Sequence, residues 1–162
     1  MLAVKALKNK FTNFTWTITG DGPEMDELIF QIQEMGLQQH VLLTGKKTRD
    51  EVFDLFENTD IFFLPSVSEG IANAALEAMS MQLPVVSSAC GGMSEAIDHE
   101  KTGLLCLNFD NEGMSESLLM LCRNFEQRKL LGENARRSII ENFTLRRMID
   151  VYENEYQKLL ET

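Results

Sequence analysis

The stretch DIFFLPSVSEGIANAALEAMSMQLPVVS, residues 60–87, decides the fold. It opens on Asp60-Ile61-Phe62-Phe63-Leu64, a short apolar run of the kind found in strands covered on both faces. Pro65 ends the run, and a polar loop follows. Ala72 to Met81 is rich in Ala, Leu, Glu and Met, all good helix formers, and predicts a helix. Pro84-Val85-Val86-Ser87 then predicts another strand from its β-branched pair. A strand, a helix and a strand in so short a span make the crossover unit of a parallel sheet.

The same alternation extends in both directions. Phe14 to Thr19 is a β-branched and aromatic run closed by Gly20-Asp21-Gly22-Pro23, a strand and its turn. Pro23 suits the first turn of a helix running to about Gly36, with Met25, Leu28, Ile29, Ile32 and Met35 on one face. His40 to Thr44 reads as a strand and Gly45 as its turn. Thr48 and Glu51 have the spacing of a capping box for a helix containing Val52, Leu55 and Phe56. Gly103 to Leu107 is a fifth strand. Helices over about Asn111 to Cys122, Glu126 to Asn142 and Leu145 to Leu160 complete the chain, the last with Met148, Tyr152, Tyr156 and Leu159 at helical spacing. Strands alternating with helices predict an α/β fold, a doubly wound, Rossmann-like parallel sheet with helices on both faces. No repeat, low-complexity tract or Pro-rich linker divides residues 1–162, so one domain is expected.

Composition narrows the chemistry. With 44% hydrophobic and 25% charged residues the chain is globular in character. It contains no uninterrupted apolar run of the roughly 18–20 residues that a membrane-spanning helix needs, and Lys5, Lys8 and Lys10 break up what a secretory leader would keep apolar. A net charge of −10 repels a polyphosphate backbone, which argues against nucleic acid as a partner. Cys90, Cys106 and Cys122 are odd in number and far apart, which fits neither a disulfide framework nor a zinc site and points to a reducing, cytoplasmic compartment. His40 and His99 read as structural, and no metal site is expected.

In open α/β sheets ligands bind beyond the carboxyl ends of the strands. Three loops occupy that place: Gly20-Asp21-Gly22-Pro23, Gly45-Lys46-Lys47, and Pro65 to Asn73. The third puts Glu69 and Gly70 at a strand-to-helix junction, where free N–H groups and the helix dipole attract anions. Glu77 follows inside the helix. Were both glutamates helical they would stand about 12 Å apart along the axis. They could then grip two parts of an elongated ligand, not one proton or one metal.

Ser68-Glu69-Gly70-Ile71-Ala72-Asn73-Ala74-Ala75-Leu76-Glu77 resembles the E-x7-E signature of the family 4 retaining glycosyltransferases of the GT-B fold. The segments Gly20-Asp21-Gly22-Pro23, Asp60 to Ser66, Pro84-Val85-Val86, Gly91-Gly92 with Glu95, Thr102 to Leu105, and Gly132 to Arg136 with Phe143 resemble the family's other motifs in order and spacing. The resemblance implies the C-terminal, donor-binding half of such an enzyme, without a cofactor or an obligatory metal. By it, Glu69 is the catalytic glutamate beside the donor sugar. Backbone N–H groups of Gly70, Ile71, Ala72 and Asn73 face the sugar and diphosphate, and Glu77 accepts from the ribose hydroxyls. Main-chain atoms near Lys46 and Lys47 run along the base, and Gly20 lets the backbone pass close to the nucleotide. The donor is a UDP-, GDP- or ADP-sugar. The acceptor, a glycan or a lipid-linked sugar, binds an N-terminal domain absent from this chain, and polysaccharide or glycolipid synthesis is the implied role. Peripheral association of the parent enzyme with the cytoplasmic face of a membrane is compatible with this. Three departures stand out. Met1 to Leu7 resembles the helix after the family's first strand, so that strand and its basic loop are missing, and this chain alone is expected to be inactive. Gln82 stands where the family has glycine. A non-catalytic nucleotide-sugar-binding module and a GT-B nucleotide-sugar epimerase are the alternatives.

Overall fold

The computed structural model describes residues 1–160. The chain starts in a helix, α1 (Leu2–Lys8), which buries Ala3, Val4 and Leu7. Strand β1 (Trp16–Ile18), helix α2 (Met25–Glu34), strand β2 (Val41–Leu43) and helix α3 (Arg49–Glu57) follow. Next come β3 (Phe62–Leu64), α4 (Asn73–Ser80), β4 (Val85–Ser88), the short α5 (Met93–Ala96) and β5 (Leu104–Cys106). Helices α6 (Asn111–Arg123), α7 (Phe125–Asn142) and α8 (Leu145–Leu160) end the described chain.

All strand pairings are parallel, as the alternation predicts. The strands form two ladders, though, and not one sheet: β1 pairs with β2, and β3, β4 and β5 pair in that order. Phe62 lies opposite Val85, and Val86 opposite Leu104. Among the described residues no strand joins β1 to β3. The rings of Trp16 and Phe63 bridge that gap instead, with centroids 5.7 Å apart.

Pleating then divides the core. Successive residues of a strand face opposite sides. Val85 packs with Ala75, Ala78 and Met79 of α4, Met93 of α5 and Ala135 of α7. Val86, its neighbour, packs on the other side with Ala3 and Leu7 of α1, and Met114 and Leu118 of α6. Helices thus cover both faces of the three-stranded ladder. A third cluster joins Val4, Ile32 and Leu37 to Trp16, Val41 and Phe63.

Several expectations need correction. The run Asp60–Leu64 was expected to be covered on both faces, but Phe62, Phe63 and Leu64 are only half-buried, because β3 has a neighbour on one edge only. Full burial belongs to β4, which has neighbours on both edges. Pro23 and Glu24 form a turn and α2 begins at Met25, and Ile29 is exposed, off the buried face. The strands are shorter than the apolar runs that encode them, since a ladder extends only as far as its partner does. The four-residue α5 has too few turns to leave a helical period.

Candidate functional site

Parallel strands bring the loops after β1, β2, β3 and β4 to one end of the fold. The first two loops are tied together. Gly20 N–H donates to the Gly45 carbonyl at 2.9 Å, and Thr44 Oγ1 donates to Thr19 Oγ1 at 3.1 Å. Gly20 has φ +142° and Gly45 φ +68°, conformations that a side chain would resist. A Cβ at Gly20 would meet nothing within 4 Å, so backbone conformation, not crowding, calls for glycine there.

The third loop, Pro65 to Ala72, is clamped from the β4 side. The hydroxyl of Ser88, itself buried, donates to the Ser66 carbonyl. Gly92 N–H donates to the Gly70 carbonyl at 3.0 Å. A Cβ on Gly91, whose φ is +51°, would come within 1.6 Å of the Glu69 carbonyl oxygen. The Gly91-Gly92 pair therefore permits a close backbone approach that fixes Glu69 in place. The Glu69 side chain is partly exposed and has no hydrogen-bond or ion-pair partner among the described residues. It precedes α4 and is not helical, so the helical separation of Glu69 and Glu77 does not apply. Ala72 is the N-cap of α4, with extended backbone.

The four backbone N–H groups expected at this junction do not behave alike. Ala72 N–H donates to Met93 Sδ at 3.4 Å, into the interior. Asn73, the first residue of α4, is exposed at the helix start, where N–H groups lack intrahelical partners. Gly70 is exposed and Ile71 half-buried beside it. Glu77 lies one turn into α4, with a third of its side chain exposed.

The structure separates the lysines from the cation that meets Glu77. Lys47 Nζ is engaged with Glu51 at 2.9 Å, and Lys46 is exposed. Arg49, at the start of α3, places Nη2 3.4 Å from Glu77 Oε1. Sequence reasoning missed Arg49, because nothing local shows that α3 and α4 come together. It also missed the clamping role of Ser88 and Met93. The Gly91-Gly92 pair after β4, which the family resemblance singles out, was the local mark of this clamp.

Glu51 shows what ordinary capping does to a carboxylate. It accepts from the Thr48 N–H at 2.8 Å and from Lys47, and these bonds hold its pKa down at about 2. Burial pushes the Cys106 and Cys122 thiols up, which keeps them protonated. Among the described residues no three His, Cys, Asp or Glu side chains gather as metal ligands. A groove of about 660 Å³ lies elsewhere, between the α5 turn and α7, and is lined by Glu95, Asp98, His99, Lys101, Arg137 and Glu141 among others. None of the expected site residues lines it.

Known proteins share this arrangement. Residues 1–138 match the family model for glycosyl transferases group 1. N-acetyl-alpha-D-glucosaminyl L-malate synthase of Bacillus anthracis is 32% identical over 143 residues, 88% of this chain and 37% of that protein. A UDP-Gal:alpha-D-GlcNAc-diphosphoundecaprenol alpha-1,3-galactosyltransferase of Escherichia coli is 28% identical over 149 residues, 91% of this chain and 38% of the relative. Among solved structures, a mutant of S. aureus TarM in complex with Fondaparinux, alpha-GlcNAc-glycerol and UDP superposes with a TM-score of 0.88 at 25% identity, covering 94% of this chain and 31% of that one. Anabaena HepE in complex with UDP-glucose shares the fold, with a TM-score of 0.84 at 20% identity, over 99% of this chain and 44% of its own. The chain belongs to the glycosyl transferases group 1 family, and its fold is that of the C-terminal domain of a GT-B glycosyltransferase. It spans well under half the length of these relatives.

Proposed function

We propose that this chain is the donor half of a retaining glycosyltransferase, which binds a nucleoside-diphosphate sugar at the loops after β1, β2 and β3. The observation that carries the reading is the clamped Glu69 loop. A carboxylate without a partner among the described residues is held in the loop before α4 by a glycine pair that admits the backbone of that loop. In this reading Glu69 orients the sugar and stabilises positive charge developing at the anomeric carbon. The open N–H groups at the start of α4 face the departing diphosphate. Glu77 accepts from the ribose hydroxyls, and Gly20 and the main chain near Lys46 and Lys47 border the nucleotide. UDP is the nucleotide favoured, since neighbours of the same fold are solved with UDP or UDP-glucose. The acceptor, a glycan or a lipid-linked sugar, binds an N-terminal domain of a longer polypeptide, and the whole acts in polysaccharide or glycolipid synthesis. The three free thiols fit a cytoplasmic location.

The test is Glu69→Ala in the full-length enzyme. Steady-state transfer should lose about 10² or more in kcat while UDP binding changes little, because the contact is made in the transition state. The melting temperature should hardly move. Near-normal turnover would remove Glu69 from the chemistry. Loss of turnover together with a collapsed melting temperature would make it structural.

A further inference from the structure

Among the described residues the cation paired with Glu77 is Arg49, and the fold builds it a seat. Its guanidinium carbon stands 5.5 Å from the centre of the Phe53 ring. Phe53 meets Phe56 edge-on, with centroids 6.0 Å apart, and Phe56 meets Phe62 of β3 in the same way at 5.7 Å. An aromatic ladder thus runs from the core to the underside of an arginine that is otherwise 76% exposed. From this seat Nη2 reaches Glu77 Oε1 at 3.4 Å. No other partner of the Glu77 carboxylate is found among the described residues, so Oε2 is left to accept.

We propose that Arg49 is a positioning residue for the nucleotide's ribose: it holds one oxygen of Glu77 and leaves the other aimed to accept from the ribose hydroxyls. This rests on the reading of Glu77 given above. A carboxylate on a helix surface otherwise rotates among several rotamers, and each must be given up on binding. A guanidinium fixed over an aromatic ring removes part of that cost beforehand. The same chemistry predicts where the effect is felt. It belongs to recognition of the diol and not to the base or the diphosphate, so it changes the preference for ribose over dideoxyribose.

The experiment compares UDP with 2′,3′-dideoxy-UDP, by calorimetry on the full-length enzyme and its variants. The unchanged enzyme should prefer UDP. Arg49→Ala should reduce that preference roughly 1.5- to fivefold, the size of an exposed ion pair's contribution. Arg49→Lys should restore part of it, since an ammonium can still pair with Oε1. In a Glu77→Gln background, Arg49→Ala should have no further effect, as required of two residues acting through one contact. A purely structural Arg49 would lower the melting temperature and leave the ratio alone. If Glu77→Gln erases the preference while Arg49→Ala leaves it intact, the role given to Arg49 is overturned and the ribose reading of Glu77 stands. If Glu77→Gln leaves the preference unchanged, or the unchanged enzyme does not bind UDP, the reading of the site fails and this proposal with it.

Discussion

Gln82 sits in the left-handed region with φ +63°, in the turn between α4 and β4. An L-residue with a Cβ is disfavoured there by about 1–2 kcal/mol, and glycine is not. The backbone at this turn cannot simply relax, because α7 presses on it. A Cβ on Gly132 would come within 2.0 Å of the Gln82 carbonyl oxygen. The family glycine at this place is therefore explained by conformation, and Gln82 is a local strain in this chain. Gln82→Gly should stabilise the chain by about 1 kcal/mol after the entropy of the freer glycine is subtracted, a rise of roughly 2–4 °C in the melting temperature. A fall in melting temperature would mean that the exposed Gln82 side chain makes a contribution larger than the strain. Gly132→Ala is the converse case. It would drive a methyl into the same carbonyl, and it should destabilise by more than the Gln82 substitution gains.

At the scale of elements, legibility followed how local the cause was. The capping box of α3 was readable from Thr48 and Glu51 because both halves lie within one turn, and the structure contains both of its bonds. The amphipathic period of α8 was readable for the same reason: Met148, Tyr152, Tyr156 and Leu159 are all on the helix, and all are exposed. What the period cannot say is whether a face is covered, and α8 buries none of its residues. The E-x7-E segment located the Glu69 loop, yet the clamp on that loop comes from Ser88, Gly91 and Met93 on other elements. The pairing of Arg49 with Glu77 likewise joins two helices that no local pattern connects. The capping box also carries a pH dependence. Glu51 titrates at about 2 in the folded chain, below its ordinary value of 4.5. Its contribution to stability is therefore complete above about pH 4.5 and is lost as pH falls toward 2. Glu51→Gln should lower the plateau of stability near neutral pH and flatten the acid limb between pH 4.5 and 2. Urea midpoints measured across that range should converge for the two chains at low pH. Parallel curves would show that the carboxylate is equally bonded in the unfolded chain.

At the scale of the molecule, the split between the two ladders is the feature on which the rest depends. Parity of the hydrogen bonds fixes what faces the gap. Trp16 N–H donates to the His40 carbonyl at 2.7 Å and Thr44 N–H to the Ile18 carbonyl at 3.1 Å, so Trp16 and Ile18 turn toward β2 and Thr17 turns away. Phe62 N–H donates to the Pro84 carbonyl at 3.0 Å, so Phe62 and Leu64 turn toward β4 and Phe63 turns away. The N–H and C=O groups of Thr17 and Phe63 thus face away from the partners of their own ladders, and the Trp16 and Phe63 rings meet between the two ladders with centroids 5.7 Å apart. The resemblance implies a strand at that place, and a parallel strand would pair with both edges. Among the described residues no strand pairs with these two edges, which predicts an uneven pattern of protection within single strands. Native-state hydrogen exchange should show the Thr17 and Phe63 amides exchanging many-fold faster than those of Ile18 and Leu64, their immediate neighbours, because only the latter must break a ladder bond to open. Val86, in a strand with neighbours on both edges, should be the slowest of the set. Equal protection of Thr17 and Ile18 would show that the ladders close into one sheet in solution. The site loops after β1 and β3 would then be held closer together than the two-ladder arrangement places them.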